Sequence, residues 1–118
     1  EEKYNKKGLL EWVKTNKNKQ IHGYYNHVWN GLTCLELSKI ILEIIKKDLF
    51  WKGVRHIYSE TVTKYSLCLL ISDVYDLNIN VKNFQNKETK DMTLSTMYIP
   101  FKVKNLRNQL EELKEFGL

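Results

Sequence analysis

A chain of 118 residues, 42% of them hydrophobic, is long enough for one domain with a modest core, and no internal repeat or shift in composition marks a second. Its aliphatic runs are short and broken by charge, far from the roughly 20 apolar residues of a membrane span, and no signal-peptide pattern opens the sequence. The net charge of +5 comes from lysines scattered among 14 acidic residues, whereas a nucleic-acid surface gathers its basic residues on one face.

In chain order, Leu9, Leu10 and Val13 occupy neighbouring turns beside Trp12, which predicts a short helix over residues 8–14 ending near Asn16. The lysine-rich stretch from Lys14 to Lys19 reads as a solvated helix end and turn. Residues 20–29 mix Ile21, Tyr24, Tyr25, Val28 and Trp29 with polar neighbours, so one extended segment is expected, closed by a turn at Asn30-Gly31. Thr33 and Glu36 stand at capping-box spacing, predicting a helix to about Lys46 with Leu37, Ile40, Ile41, Ile44 and Ile45 as one buried stripe. Gly53 precedes a β-prone run at residues 54–58, expected as a mostly covered strand.

A second start signal is Thr63, with Val62 before it, opening a third helix whose apolar positions are Leu67, Leu70, Ile71, Val74 and Tyr75, with Asn78 at its end. Residues 79–84 alternate as a half-exposed strand, and residues 85–91 read as a polar loop. After Pro100, Val103, Leu106, Leu110 and Leu113 predict an amphipathic helix ending at Gly117. Helices alternating with short strands indicate an α/β or α+β fold.

No catalytic constellation is complete: a glycine-rich dinucleotide turn, a nucleophile elbow and a zinc-protease motif are all absent. Tyr65 follows Lys64 directly, without the one-turn spacing that would put a lysine on its face. His22, His27 and His56 are separated by turns and strands, so no metal site is expected. Cys34 and Cys68 fall among apolar helical neighbours and are expected as buried thiols in a reducing, cytoplasmic compartment.

The unusual stretch is residues 22–33, where rings, two asparagines and a histidine stand directly ahead of a helix start. Rings offer stacking, amides read hydroxyls and a helix N-terminus favours anions, and a sugar nucleotide presents all three groups. Equally open at this level is a bland reading, with Tyr24, Tyr25 and Trp29 as core-edge aromatics and Asn30-Gly31 as a plain turn.

Four segments follow one another in a telling order. Asn26-His27-Val28-Trp29-Asn30-Gly31-Leu32-Thr33 fits an eight-residue frame Asn-Asp-x-x-Gly-x-Pro-Thr at its two ends, departing at His27, Asn30 and Leu32. Gly53-Val54-Arg55-His56 and Thr63-Lys64-Tyr65 come next, then Asp91-Met92-Thr93-Leu94-Ser95-Thr96, with Met92 at the place of an arginine. In order and spacing these resemble the C-terminal half of the extended short-chain dehydrogenase/reductases, and within them the dTDP-4-dehydrorhamnose reductase family of sugar-nucleotide reductases.

That resemblance implies a Rossmann-type α/β fold in which this chain is a single C-terminal, substrate-binding portion. The cofactor loop and the Tyr-x-x-x-Lys pair would lie upstream, in agreement with an opening Glu1-Glu2 cut from something longer. It implies reduction of a 4-keto-6-deoxy sugar nucleotide, with NAD(P)H bound by the other half and none by this chain. Asn26, Trp29 and Asn30 would contact the substrate, with Tyr25 and His27 beside them. The expected partners are the sugar nucleotide, the N-terminal catalytic half and a second copy; neither a membrane nor a nucleic acid is among them. Leu32 and Met92, as substituted positions, keep open a non-catalytic binding or regulatory relative, and a small basic nucleic-acid-binding domain stands as a third alternative.

Overall fold

The computed structural model describes residues 8–96 and 101–118. Helix α1 (Leu9–Thr15) buries Leu10 and Val13, and its end is closed by the Thr15 hydroxyl and the Asn16 amide, both donating to the Trp12 carbonyl. Strand β1 (Gln20–Tyr24) follows, then β2 (His27–Trp29), so residues 20–29 form two strands and not one segment. The break is a change of sheet. The Tyr25 N–H donates to Phe84 of one sheet at 3.2 Å, while the Asn26 carbonyl accepts from Lys90 of the other at 3.0 Å.

Helix α2 (Cys34–Lys46), β3 (Val62–Thr63), α3 (Lys64–Val74), β4 (Asn80–Phe84), β5 (Lys90–Met92) and α4 (Leu106–Glu115) complete the chain. β1 pairs in parallel with β4, with Ile21 opposite Val81. The second sheet has the order β3-β2-β5, antiparallel on the first side and parallel on the second. The fold is thus α/β, its helices interleaved with short strands.

α3 lies at the centre, against β1, β4, α1 and α4. Leu67, Cys68 and Ile71 from α3 meet Leu10 and Val13 of α1, Ile21 and Val81 of the first sheet, and Leu106, Leu110 and Leu113 of α4. The approach is close: a Cβ on Gly23 would lie 2.7 Å from the Tyr65 Cα, so only glycine lets β1 run under the start of α3.

α2 departs from expectation in its burial. Ile40 and Ile44 are covered, but Ile41 and Ile45 are 47% and 58% exposed and Leu37 is also exposed, because only one edge of the stripe meets α4. Its first residue, Cys34, is exposed as well, so of the two thiols only Cys68 is buried.

Residues 54–58 form no strand, since none of the described strands offers them a ladder; Val54 is exposed. Arg55 instead lies over the rings of Trp51 and Phe101. Conversely, Lys90 and Asp91 of the expected loop join Met92 in β5, recruited by β2 despite their polar side chains. Helix α4 begins at Leu106 behind an Asn105 cap, which leaves Val103 outside; Pro100 and the Glu1-Glu2 opening lie outside the described residues. Among the described residues, no helix is long and apolar enough to cross a membrane.

Candidate functional site

The site is built where β2 runs into α2. Trp29 folds back over Gly31 so tightly that a Cβ there would lie 2.1 Å from the indole Cζ2, which explains a glycine two residues after the tryptophan. The Thr33 hydroxyl then caps α2, accepting the Glu36 N–H at 3.1 Å. The other half of the capping box is replaced by long-range partners. The Thr33 N–H donates to Gln109 Oε1 of α4 at 3.0 Å, and the Glu36 carboxylate accepts the Lys104 N–H at 3.1 Å. Gln109, 1% exposed, also donates to Ser59 Oγ and the Lys104 carbonyl, so one buried amide ties the α2 start to two loops.

Below this junction opens a cavity of about 420 Å³. Its floor is apolar, with Leu10 from α1, Leu67 and Ile71 from α3, and Leu106 and Leu110 from α4. The polar side chains on its wall are His27, Trp29, Thr33 and Lys64. Met92 completes that wall beside Trp29, its partner in the parallel β2–β5 register. His27 is 5% exposed; its Nε2 lies 3.1 Å from the Glu88 carbonyl, which fixes the Nε2–H tautomer, and its ring is 4.9 Å from Tyr24. The Lys64 ammonium stands 5.7 Å over the Tyr24 ring. Burial pushes the Cys68 thiol above its ordinary value, an effect that the Lys64 charge partly offsets.

Of the five residues singled out from the sequence, His27 and Trp29 line the cavity together. Tyr25 is 45% exposed and outside the lining. Asn26 and Asn30 are also outside it. Their amides hydrogen-bond to backbone groups, Asn26 to Asn86 and Asn30 to Leu94.

Lys64 and the cavity-facing position of Met92 were not apparent as a pair with Trp29. The usable signal for Lys64 was its place directly after the Thr63 cap, where a side chain on the first turn reaches back over the preceding strand. Among the described residues no group of three potential metal ligands comes together. Among the described residues no glycine-rich turn of the kind that cradles a dinucleotide stands at a helix start.

No protein-family model matches the chain, and no curated protein matches it significantly by sequence. Its fold is similar to solved structures of dTDP-4-dehydrorhamnose reductase. The structure from Clostridium acetobutylicum superposes with a TM-score of 0.72 at 11% identity, over 94% of this chain and 44% of the other. That from Bacillus anthracis, in complex with NADP, gives 0.70 at 11% identity, over 92% and 41%. That from Yersinia enterocolitica gives 0.69 at 13% identity, over 98% and 44%. The chain therefore spans less than half the length of these structures, and the likeness is one of fold.

Proposed function

We propose that this chain is the substrate-side part of an NAD(P)H-dependent reductase acting on a 4-keto-6-deoxy sugar nucleotide, the cofactor and the proton-transferring groups being carried by a second half of the same fold. The observation that carries this reading is the superposition of nearly the whole chain on less than half of a sugar-nucleotide reductase. Its cavity adds support, since an indole ahead of α2 and a lysine on the first turn of α3 both line it.

In this reading the Trp29 indole gives a planar face to the base or sugar ring, and Lys64 attracts the phosphates electrostatically. Buried His27 holds the wall through Glu88 while keeping its ring edge at the cavity. The nicotinamide supplies the hydride from the other half, and the apolar floor keeps water from this side of the substrate.

The test is the effect of Trp29→Ala in the full-length protein. A stacked ring contributes about 1–3 kcal/mol per base, so the Michaelis constant for the sugar nucleotide rises about tenfold or more while that for the nicotinamide stays unchanged. Equal small changes in both would return Trp29 to a core-edge role. Met92, an apolar side chain on the wall where the resemblance puts an arginine, favours a second reading, a relative that binds the sugar nucleotide without reducing it. Saturable binding with no nicotinamide oxidation selects that one.

A further inference from the structure

Residues 86–94 run alongside β2 at the edge of the cavity, yet little apolar burial holds them there. Residues 87–92 and Leu94 are all exposed, and of this run only Met92 contributes to the cavity. What fixes the segment is hydrogen bonding to β2, extended beyond the short ladder by two asparagine side chains. At one end the Asn26 amide donates to the Asn86 carbonyl at 2.9 Å, and its oxygen accepts the Asn86 N–H at 3.0 Å. At the other, the Asn30 amide donates to the Leu94 carbonyl and accepts the Leu94 N–H, both at 2.8 Å.

Each primary amide thus offers one donor and one acceptor to one residue as a peptide group would, and the Asn26 amide donates further to the Glu88 carbonyl at 3.4 Å. Between these two pins stand the β2–β5 pairs and the His27 contact to Glu88. Side-chain turns shape the segment near both ends: Asn86 Oδ1 accepts the Glu88 N–H at 3.1 Å, and Asp91 Oδ1 accepts the Thr93 N–H at 3.0 Å.

The two pins differ in exposure. Asn30 is 3% exposed, whereas Asn26 is only half-buried. A segment with hydrogen bonds and few buried side chains opens locally, below the free energy of global unfolding. When it lifts, Met92 leaves Trp29 and the cavity is open at that side.

We propose that residues 86–94 are a strap gating this cavity and that Asn26 and Asn30 are positioning residues, which seat Met92 against Trp29 without touching the ligand. The ligand, a sugar nucleotide, is taken from the proposed function, and that part of the inference rests on it.

The test compares wild-type full-length protein with Asn30→Asp, which keeps the shape but removes the donor, and with Asn26→Ala at the more exposed pin. Hydrogen exchange followed by mass spectrometry reads the strap without any ligand. Exchange over residues 86–94 accelerates about tenfold or more, Asn30→Asp losing one hydrogen bond and Asn26→Ala the bonds to Asn86 and Glu88, while protection of residues 67–74 in α3 is unchanged. The Michaelis constant for the sugar nucleotide rises in both variants, with kcat unchanged within about twofold.

Exchange that stays at the wild-type rate in residues 86–94 in both variants, or that rises equally in α3, overturns the strap. If Asn30→Asp does not fold, Asn26→Ala alone decides. A wild-type protein that neither binds nor reduces a sugar nucleotide, but whose variants loosen only the strap, removes the proposed function and leaves the gate standing.

Discussion

Helices α2 and α3 begin alike and end differently. Each is capped by a threonine whose hydroxyl accepts the N–H three residues on at 3.1 Å, at Thr33 and at Thr63. Yet α3 is enclosed by strands of both sheets and by two helices, while α2 touches α4 along one edge and leaves Leu37, Ile41, Leu42 and Ile45 exposed. Cap and period make a helix; what covers its stripe is decided by elements far away in sequence. A contiguous exposed aliphatic face is uncommon on a self-sufficient surface, and in the proposed function the cofactor-binding half covers it.

The comparison breaks most visibly in the core. Ile71→Ala on α3, 2% exposed in the native fold, destabilises the chain by about 2–5 kcal/mol in urea denaturation, whereas Ile41→Ala on α2 costs less than about 0.5 kcal/mol. Equal costs would mean that α2 is as enclosed as α3. Gln109→Ala is next, because it strips partners from the Thr33 N–H and the Lys104 carbonyl; about 1–3 kcal/mol is expected by the same assay.

The caps should then be nearly equal, with Thr33→Ala and Thr63→Ala each losing about 1 kcal/mol. A clear excess at Thr33 would show that the α2 start is held by the Gln109 network more than by the cap itself.

Acid gives the smallest effect. Hydrogen bonds from Lys104 and Lys39 hold the Glu112 carboxyl below its ordinary value, and bonds from the Thr93 hydroxyl and N–H do the same for Asp91. A depressed folded value means that the contribution is complete above the unfolded value and disappears as pH falls through the folded one. Urea midpoints measured from neutral pH downward should therefore fall off below the ordinary carboxylate range, slightly less steeply in Glu112→Gln, which links α4 to α2 through Lys39.

What was legible in the sequence was local. The thresholds of α2 and α3 and the amphipathic period of α4 follow from cap chemistry and spacing within a few residues. Residues 54–58 and Lys90–Met92 show the opposite: a β-prone run stays irregular without a neighbour, and a polar run becomes a strand because β2 is there to pair with it. In the site, the aromatic run ahead of a capped helix holds His27 and Trp29, which line the cavity together. The partners of Asn26 and Asn30 lie some sixty residues on, at Asn86 and Leu94, and no local pattern announces an amide that pairs with distant backbone.

The most direct measurement is nicotinamide oxidation by the full-length protein and by this chain alone, each offered dTDP-linked 4-keto-6-deoxy sugars. The account predicts turnover by the full-length protein and none by the chain, whose described residues build no dinucleotide cradle. A full-length protein inert toward every such sugar nucleotide, or a chain that reduces one unaided, would contradict it.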